Sequence, residues 1–380
     1  MGKNRRDEHE AFLTWLLETV EKEHIDLLIV AGDIFDTGTP PNYALELYYN
    51  TLTKLAASSC QNIIVIAGNH DSIATLKAPK QLLEALHIHV IASGDASENK
   101  IIPVLKDGEL TGIVCAVPFL HDYVVRQSLN SESMSDKESA LSKGIKEHYK
   151  EVYNEALQRK GTKDIPIIAT GHLTTLGAKR SESERDIYIG NTLNIDSDFF
   201  GDYFDYVALG HLHINQKVGS EHVRYSGSPI PLSFSEAASQ KKVNIVEFKG
   251  TDMRVRELDV PLYRPLLVLR GDSSFVMEQL ESIDDKRTWL EVHLNDVNPF
   301  HANERIRAKA QELDLTLLAV KIDKQEQMLG VKDFDVISLD ELKPIDVFER
   351  RLQKEEIEDE AFEKELLLTF KKVVDEVQNR

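Results

Sequence analysis

A chain of 380 residues with 42% hydrophobic and 29% charged side chains sits near the averages of folded globular proteins, and its length suits two domains plus an appendage. A formal net charge of −19 excludes a protein that coats nucleic acid unaided, because phosphate contacts need clustered Lys and Arg. A nucleic-acid substrate would need bound cations or a partner. No apolar run approaches the roughly 20 residues that span a bilayer, and the first residues lack the apolar core of a signal peptide, so no membrane is expected. Cys60 and Cys115 lie in apolar, strand-like runs and read as buried thiols rather than a disulfide or zinc pair; a reducing cytoplasm fits.

Phe12, Trp15, Leu16 and Val20 recur at helical spacing ahead of the strand-like run Leu27–Ala31. A helix over roughly 42–57 precedes the run Ile63–Ala67. Further buried-strand candidates are Ile113–Val117, Ile165–Ala169 and Tyr206–Leu209. These runs are continuously apolar rather than alternating, which suits strands covered on both faces in an α/β domain. Between them, 130–163 reads as a surface helix with Ile145, Tyr149, Val152 and Ala156 on one stripe. Alternating strands begin near Val243 and end near Pro261 and Pro265. A small α+β unit is expected over about 266–325, with strands Leu266–Leu269, Trp289–Leu294 and Leu315–Val320 and helices near 274–282 and 302–313. After Leu339 the pattern is helical. Seven acidic residues fall between Glu355 and Glu365, while Phe362, Leu366, Phe370, Val373 and Val377 recur every three or four positions.

Four polar motifs stand where an apolar run stops: Gly32-Asp33-Ile34-Phe35-Asp36, Gly68-Asn69-His70-Asp71, Gly171-His172 and Gly210-His211-Leu212-His213. Glycine lets the chain turn sharply at a strand end, and the carboxyl ends of strands are where open α/β sheets bind ligands. Carboxylate, amide and imidazole donors without thiolate suit manganese, iron or magnesium better than structural zinc. A shared carboxylate can bridge two ions roughly 3.5–4 Å apart, which clamp the oxygens of a phosphoryl transfer. A lone Gly-His or Gly-Asp is an ordinary turn or core feature. All four motifs in this order, each at a strand end, are poorly explained that way. The basic pairs Lys179-Arg180 and Lys241-Lys242 could touch phosphates, though such pairs are usually solvated surface.

The order Gly-Asp-x-x-Asp, Gly-Asn-His-Asp, Gly-His, Gly-His-x-His resembles the calcineurin-like metallophosphoesterases, and within them the SbcD nucleases. The resemblance is carried by Val30–Gly38, Ala67–Ser72, Ala169–Thr175 and Gly227–Phe234, and it extends over almost the whole chain. It implies an α/β metallophosphoesterase sandwich, two mixed sheets flanked by helices, over 1–262. It also implies a small α+β capping domain over 263–328 and a helical tail over 329–380. The implied activity is hydrolysis of DNA phosphodiesters, as a 3′–5′ exonuclease and endonuclease acting on double-stranded ends and hairpins in repair, recombination and replication. Two Mn2+ ions, with Mg2+ possible, are the implied cofactors. The implied partners are double-stranded DNA, the SbcC ATPase docked on the C-terminal helices, and a second copy of the chain within a heterotetramer.

By position in the motifs, Asp33 is the bridging ligand, Asn69, His172 and His211 complete one metal's shell, and His213 belongs to the other. His70 stabilises charge or donates a proton near the leaving oxygen, Asp36 orients His70, and Asp71 reads as a turn residue. The family pattern opens with a strand ending in Asp-x-His, and no such segment precedes Gly2-Lys3-Asn4 here. The expectation is that the chain starts too late, and a real divergence to a one-metal or inactive scaffold is the rival. Two other readings stay open: a metallophosphatase of another substrate class, and a non-catalytic subunit that bridges SbcC to something else.

Overall fold

The structure is a computed structural model that describes residues 3–95, 99–121, 124, 134–181, 184, 195–295, 299–322 and 369–370. The apolar runs become strands of two sheets. Strands β1 (Leu27–Ala31), β2 (Asn62–Ile66) and β3 (Ile88–Ile91) form a parallel sheet in that order. Parallel neighbours need a crossover. Helix α2 (Asn42–Ala56) supplies the first, and the short helices α3 (Ile73–Lys77) and α4 (Lys80–Glu84) lie in the second; α1 (Arg6–Lys22) precedes β1. Strand β2 is buried at every position, whereas β1, at the sheet's edge, is half-buried along its length.

The second sheet runs β4-β5-β6-β7-β9-β8, comprising β4 (Ile101–Lys106), β5 (Glu109–Cys115), β6 (Ile167–His172), β7 (Tyr206–Gly210), β8 (Gln216–Val218) and β9 (Ser220–Tyr225). Its centre is parallel and its two edges are antiparallel pairs, so it is a mixed sheet. Helix α5 (Met134–Lys160) and the single turn α6 (Asp198–Gly201) lie in its connections.

Successive strand residues point to opposite faces, and here both faces are apolar. On one face Ile113, Cys115, Ile167, Ala169, Val207 and Leu209 pack against Ile145, Tyr149, Val152 and Ala156 of α5. The expected helical stripe is therefore a buried seam, and the Tyr149 hydroxyl donates to the Thr170 carbonyl at 2.9 Å. On the other face Ile102, Val104, Val114, Ala116, Ile168 and Tyr206 meet Ile64, Ile66 and Ile91 of the first sheet. Ile63, Val65 and Val90 turn the opposite way, into a core with Val20, Leu52 and Leu55 of the helices. The order of layers is helix, sheet, sheet, helix. Cys60 and Cys115 are buried free thiols, and burial pushes both up.

A ribbon of β10 (Lys242–Lys249) and β11 (Asp252–Asp259) adds Val246, Phe248, Met253 and Val255 to the core between the sheets. The small unit that follows has a parallel sheet, β12 (Leu266–Gly271), β13 (Trp289–Leu294) and β14 (Thr316–Ile322), with α7 (Ser273–Glu281) and α8 (Pro299–Glu312) as crossovers. The α+β texture expected there is thus realised as a βαβαβ arrangement. Its own core gathers Leu269, Val276, Leu280, Leu290, Val292 and Ile306. Asp272 caps α7 by accepting from Phe275 N at 2.9 Å.

Residues Met1–Lys324 form one compact unit and Gln325–Arg380 another. The expected helical, partner-binding tail lies outside the described residues apart from Thr369 and Phe370, which are helical. Among the described residues, no helix is long and apolar enough to cross a membrane.

Candidate metal centre

The four motifs stand at the carboxyl ends of β1, β2, β6 and β7. His172 is the last residue of β6, so strand pairing itself fixes its position against Gly210 of β7. Asp33 and His211 stand one turn beyond β1 and β7, and both have left-handed backbones, φ 51° and 89°. Such conformations are costly for residues with a Cβ and cluster at functional sites. The close approach of β1 to its neighbours explains two of the glycines. A Cβ on Gly68 would stand 2.2 Å from Asp33 Oδ1, and one on Gly210 would stand 1.7 Å from the Ala31 carbonyl oxygen.

His172 is 1% exposed, and its Nδ1 lies 2.9 Å from the Ala31 carbonyl. A carbonyl only accepts, so Nδ1 carries a proton and donates. The other nitrogen, Nε2, lies 3.0 Å from Asn69 Oδ1 and 3.1 Å from Asp33 Oδ2. A neutral ring, an amide oxygen and a carboxylate would set three lone pairs against one another. A proton or a metal ion among them relieves that opposition. His211 adds a buried Nε2 without a hydrogen-bond partner. Burial first, then the neighbouring His172, pushes His211 down to about 3, so its ring is neutral and competent to ligate. Donor atoms of Asp33, His172 and His211 all lie within 4.8 Å of one another. Burial alone would raise Asp33. The hydrogen bond and charge of His172, with smaller contributions from His70, more than offset it and hold the carboxyl at about 2. The residues present therefore fit a divalent cation: anionic oxygen, amide oxygen and two imidazoles, with one orphaned nitrogen.

His70 is tied to the same carboxylate through its backbone, its N–H donating to Asp33 Oδ1 at 3.1 Å. Its ring Nδ1 lies 2.8 Å from the carbonyl oxygen of Asp36 and 3.8 Å from the Asp36 carboxylate, which is 87% exposed. The closer contact between these two residues is thus made by the main chain. Asp71, read from sequence as a turn residue, is 8% exposed and has a larger task. Its carboxylate accepts from Ile34 N (3.1 Å), Phe35 N (3.0 Å) and Gly68 N (2.8 Å), pinning the Asp33 turn to the Asn69 turn. Burial pushes its carboxyl up despite these three donors, and the Asp33 charge adds to the shift.

His213 is not among the three residues of that triad. Its N–H donates to Glu184 Oε1 at 2.6 Å, and its Nδ1 lies 3.4 Å from Glu236 Oε1. Its carbonyl accepts from Ser228 N and Lys241 Nζ, both at 3.1 Å. Lys241, a candidate phosphate contact in the sequence, is instead 6% exposed and paired with Glu236. Lys242 pairs with Glu257 at 2.7 Å. Glu184 and Glu236 were not singled out by sequence reasoning, and Ser228 entered only as part of the Gly227–Phe234 segment. The signal available was an acidic residue in the loop after Gly227-Ser228-Pro229 and little more.

A sequence model of the family described as calcineurin-like phosphoesterase matches residues 5–215, and one described as the type 5 capsule protein repressor C-terminal domain matches 262–356. The SbcD subunit of the nuclease SbcCD from Escherichia coli (strain K12) is 38% identical over 365 residues, covering 94% of this chain and 90% of that protein. The corresponding SbcCD nuclease subunit from Rhodobacter capsulatus is 34% identical, covering 71% of this chain and 67% of its own length. The one from Bacillus subtilis (strain 168) is 32% identical, covering 77% and 75%.

Proposed function

This chain belongs to the calcineurin-like phosphoesterase family, and from that premise we propose that it is the metal-dependent nuclease subunit of an SbcCD-type complex. The reaction is hydrolysis of DNA phosphodiesters at double-stranded ends and hairpins, as exonuclease and endonuclease. One observation carries the reading: His172 Nε2, Asn69 Oδ1 and Asp33 Oδ2 converge at 3.0 and 3.1 Å, beside the unpartnered Nε2 of His211.

Asp33, Asn69, His172 and His211 would hold one ion, with Asp33 shared and His213 serving a second. Oxygen and imidazole donors without thiolate favour Mn2+, with Mg2+ as the alternative. Such ions supply Lewis acidity and neutralise phosphate charge when bound, which also answers the net charge of −19. The Ala31 carbonyl fixes the tautomer of His172 and keeps Nε2 available. The Asp36 carbonyl accepts a hydrogen bond from His70 Nδ1–H, which leaves Nε2 to face a phosphodiester. In its imidazolium form the ring carries a proton on Nε2 as well, and it stabilises charge or donates that proton at the leaving oxygen. The unit over 263–328 caps the site and shapes access to DNA. The tail over 329–380 docks on SbcC, the chain pairs with a second copy, and the complex works in the cytoplasm.

The test is cleavage of a blunt double-stranded DNA by the chain assembled with its SbcC partner and Mn2+. Asp33→Asn and His172→Ala should each lose activity by about 100-fold or more, since even outer-shell partners of metal ligands are worth 10- to 100-fold. Cleavage that survives both substitutions, or no cleavage by the assembled complex with any divalent ion, sinks the reading. Hydrolysis of a small phosphomonoester alone would favour a phosphatase of another substrate class.

A further inference from the structure

Behind His213 lies a polar cluster that the ligand set does not use. Glu236 is 1% exposed and Lys241 is 6% exposed, and their ion pair is 2.6 Å long. Among the described residues, several groups approach the Glu236 carboxylate as donors. Oε2 accepts from Lys241 Nζ, from Leu232 N at 3.1 Å and from Ser228 Oγ at 3.5 Å. Oε1 accepts from Ser181 Oγ at 3.0 Å and faces His213 Nδ1 at 3.4 Å. Lys241 in turn donates to Ser228 Oγ at 2.9 Å and to the His213 carbonyl at 3.1 Å. Glu184 completes the shell, accepting from His213 N and Ser181 N, each at 2.6 Å.

A buried ion pair is weak evidence for stability, because desolvating two charges offsets most of their attraction. An apolar pair of the same volume would hold this loop about as well. What an apolar pair could not do is present an anion to one nitrogen of a histidine. We propose that Glu236, fixed in place and in charge by Lys241, is a positioning residue for His213. Its carboxylate accepts a hydrogen bond from Nδ1–H, sets the ring's orientation and leaves the Nε2 lone pair for a divalent cation. The inference deepens the metal-dependent reading of the site and rests on it for the identity of the ligand. The physical basis is general: a carboxylate on the far nitrogen of a ligating histidine fixes its tautomer and raises its basicity. Hydrogen bonds to both carboxylate oxygens from Lys241, Leu232 and Ser181 leave Glu236 little freedom to turn away.

Two variants separate positioning from mere packing. Glu236→Gln keeps size and an acceptor oxygen but loses the charge. The double variant E236L/K241M removes both charges together and keeps the volume, so no uncompensated ion is left in the core. The first readout is the 15N NMR signature of His213 in metal-free protein labelled at histidine, assigned with His213→Gln. The wild type should show protonated Nδ1 and unprotonated Nε2, and the double variant should lose that preference. The second readout is titration with Mn2+ alone. The ion bound through His213 should weaken about 10-fold in Glu236→Gln and about 100-fold in the double variant, the range known for such outer-shell partners. The ion bound through His172 and His211 should change less than about twofold.

A wild-type His213 protonated on Nε2, or a folded double variant with unchanged tautomer and unchanged Mn2+ affinity, overturns the proposal. Should the double variant fail to melt cooperatively, Glu236→Gln decides, and Mn2+ binding within twofold of wild type rejects the role. Should the wild type take up no Mn2+, the proposed function fails by itself, while the tautomer of His213 with and without Glu236 still decides the inference.

Discussion

The carboxylate of Asp71 receives three main-chain donors from two different turns, and those turns carry Asp33 and Asn69. Truncating it strands three buried or half-buried N–H groups, each costing about 1–3 kcal/mol when left unpaired. Water entering the gap recovers part of this. Asp71→Ala should therefore lower stability by about 3 kcal/mol in urea unfolding and weaken Mn2+ binding, although Asp71 is not one of the triad. An unchanged midpoint with unchanged metal affinity would mean that the two turns hold themselves. The donors Ile34 and Phe35 lie 37 and 36 positions away in the chain. That distance is why sequence reasoning saw in Asp71 a turn residue: the acid was visible, its partners were not. Asp36 shows the complementary limit. Its side chain drew attention, yet its carbonyl makes the nearer contact with His70, and every residue has a carbonyl. A ligand's side chain is readable in a sequence because its chemistry is rare; a main-chain role leaves no such mark.

At the scale of the elements, the continuously apolar runs of β2, β6 and β7 foretold strands buried on both faces, and the alternation of core residues between the inner and outer layers shows why, whereas the run Leu27–Ala31 is half-buried throughout. Strand order was not readable, since nothing in the run Tyr206–Leu209 says that it lies between β6 and β9. The strand-end glycines were readable as turns but not as points of contact. Gly210 closes β7 against β1 so tightly that a methyl group would overlap the Ala31 carbonyl, which is also the acceptor for His172 Nδ1. Gly210→Ala should cost about 1–3 kcal/mol, the range for overpacking a filled core. It should also displace His172, so metal affinity falls more than the stability loss alone explains. A variant that loses stability but titrates with Mn2+ like the wild type would show that β1 yields without disturbing the centre.

For the molecule as a whole, the question is what ties the small parallel sheet to the phosphoesterase layers. Trp289, at the start of β13, is 5% exposed and lies under two guanidinium groups, Arg264 at 4.7 Å and Arg5 at 5.6 Å from its ring centroid. Glu8 of α1, 2% exposed, accepts from Arg5 at 2.5 and 2.8 Å and from Arg264 at 3.2 Å. Arg5 also donates to the Pro231 carbonyl, in the loop that leads to Glu236. One carboxylate thus bridges the two guanidinium groups that hold the indole, and α1, the Pro231 loop and β13 meet in a single cluster. Removing one partner of a buried ion pair costs about 3–5 kcal/mol because a charge is left unpaired. The value here should fall below that range, since Arg264 is 22% exposed and can reach water. Glu8→Ala should accordingly destabilise the protein by about 2 kcal/mol and loosen the small unit before the rest. Limited trypsin digestion measures this directly, as faster cleavage after Arg287, two residues before Trp289, at a temperature where the phosphoesterase layers stay folded. Trp289→Phe, which keeps an aromatic face but less of it, should lie between wild type and Glu8→Ala. Equal cleavage rates in all three proteins would place the tie elsewhere, in the approach of β12 to Phe234–Glu236, and the arginine–tryptophan cluster would then be buried without a mechanical role.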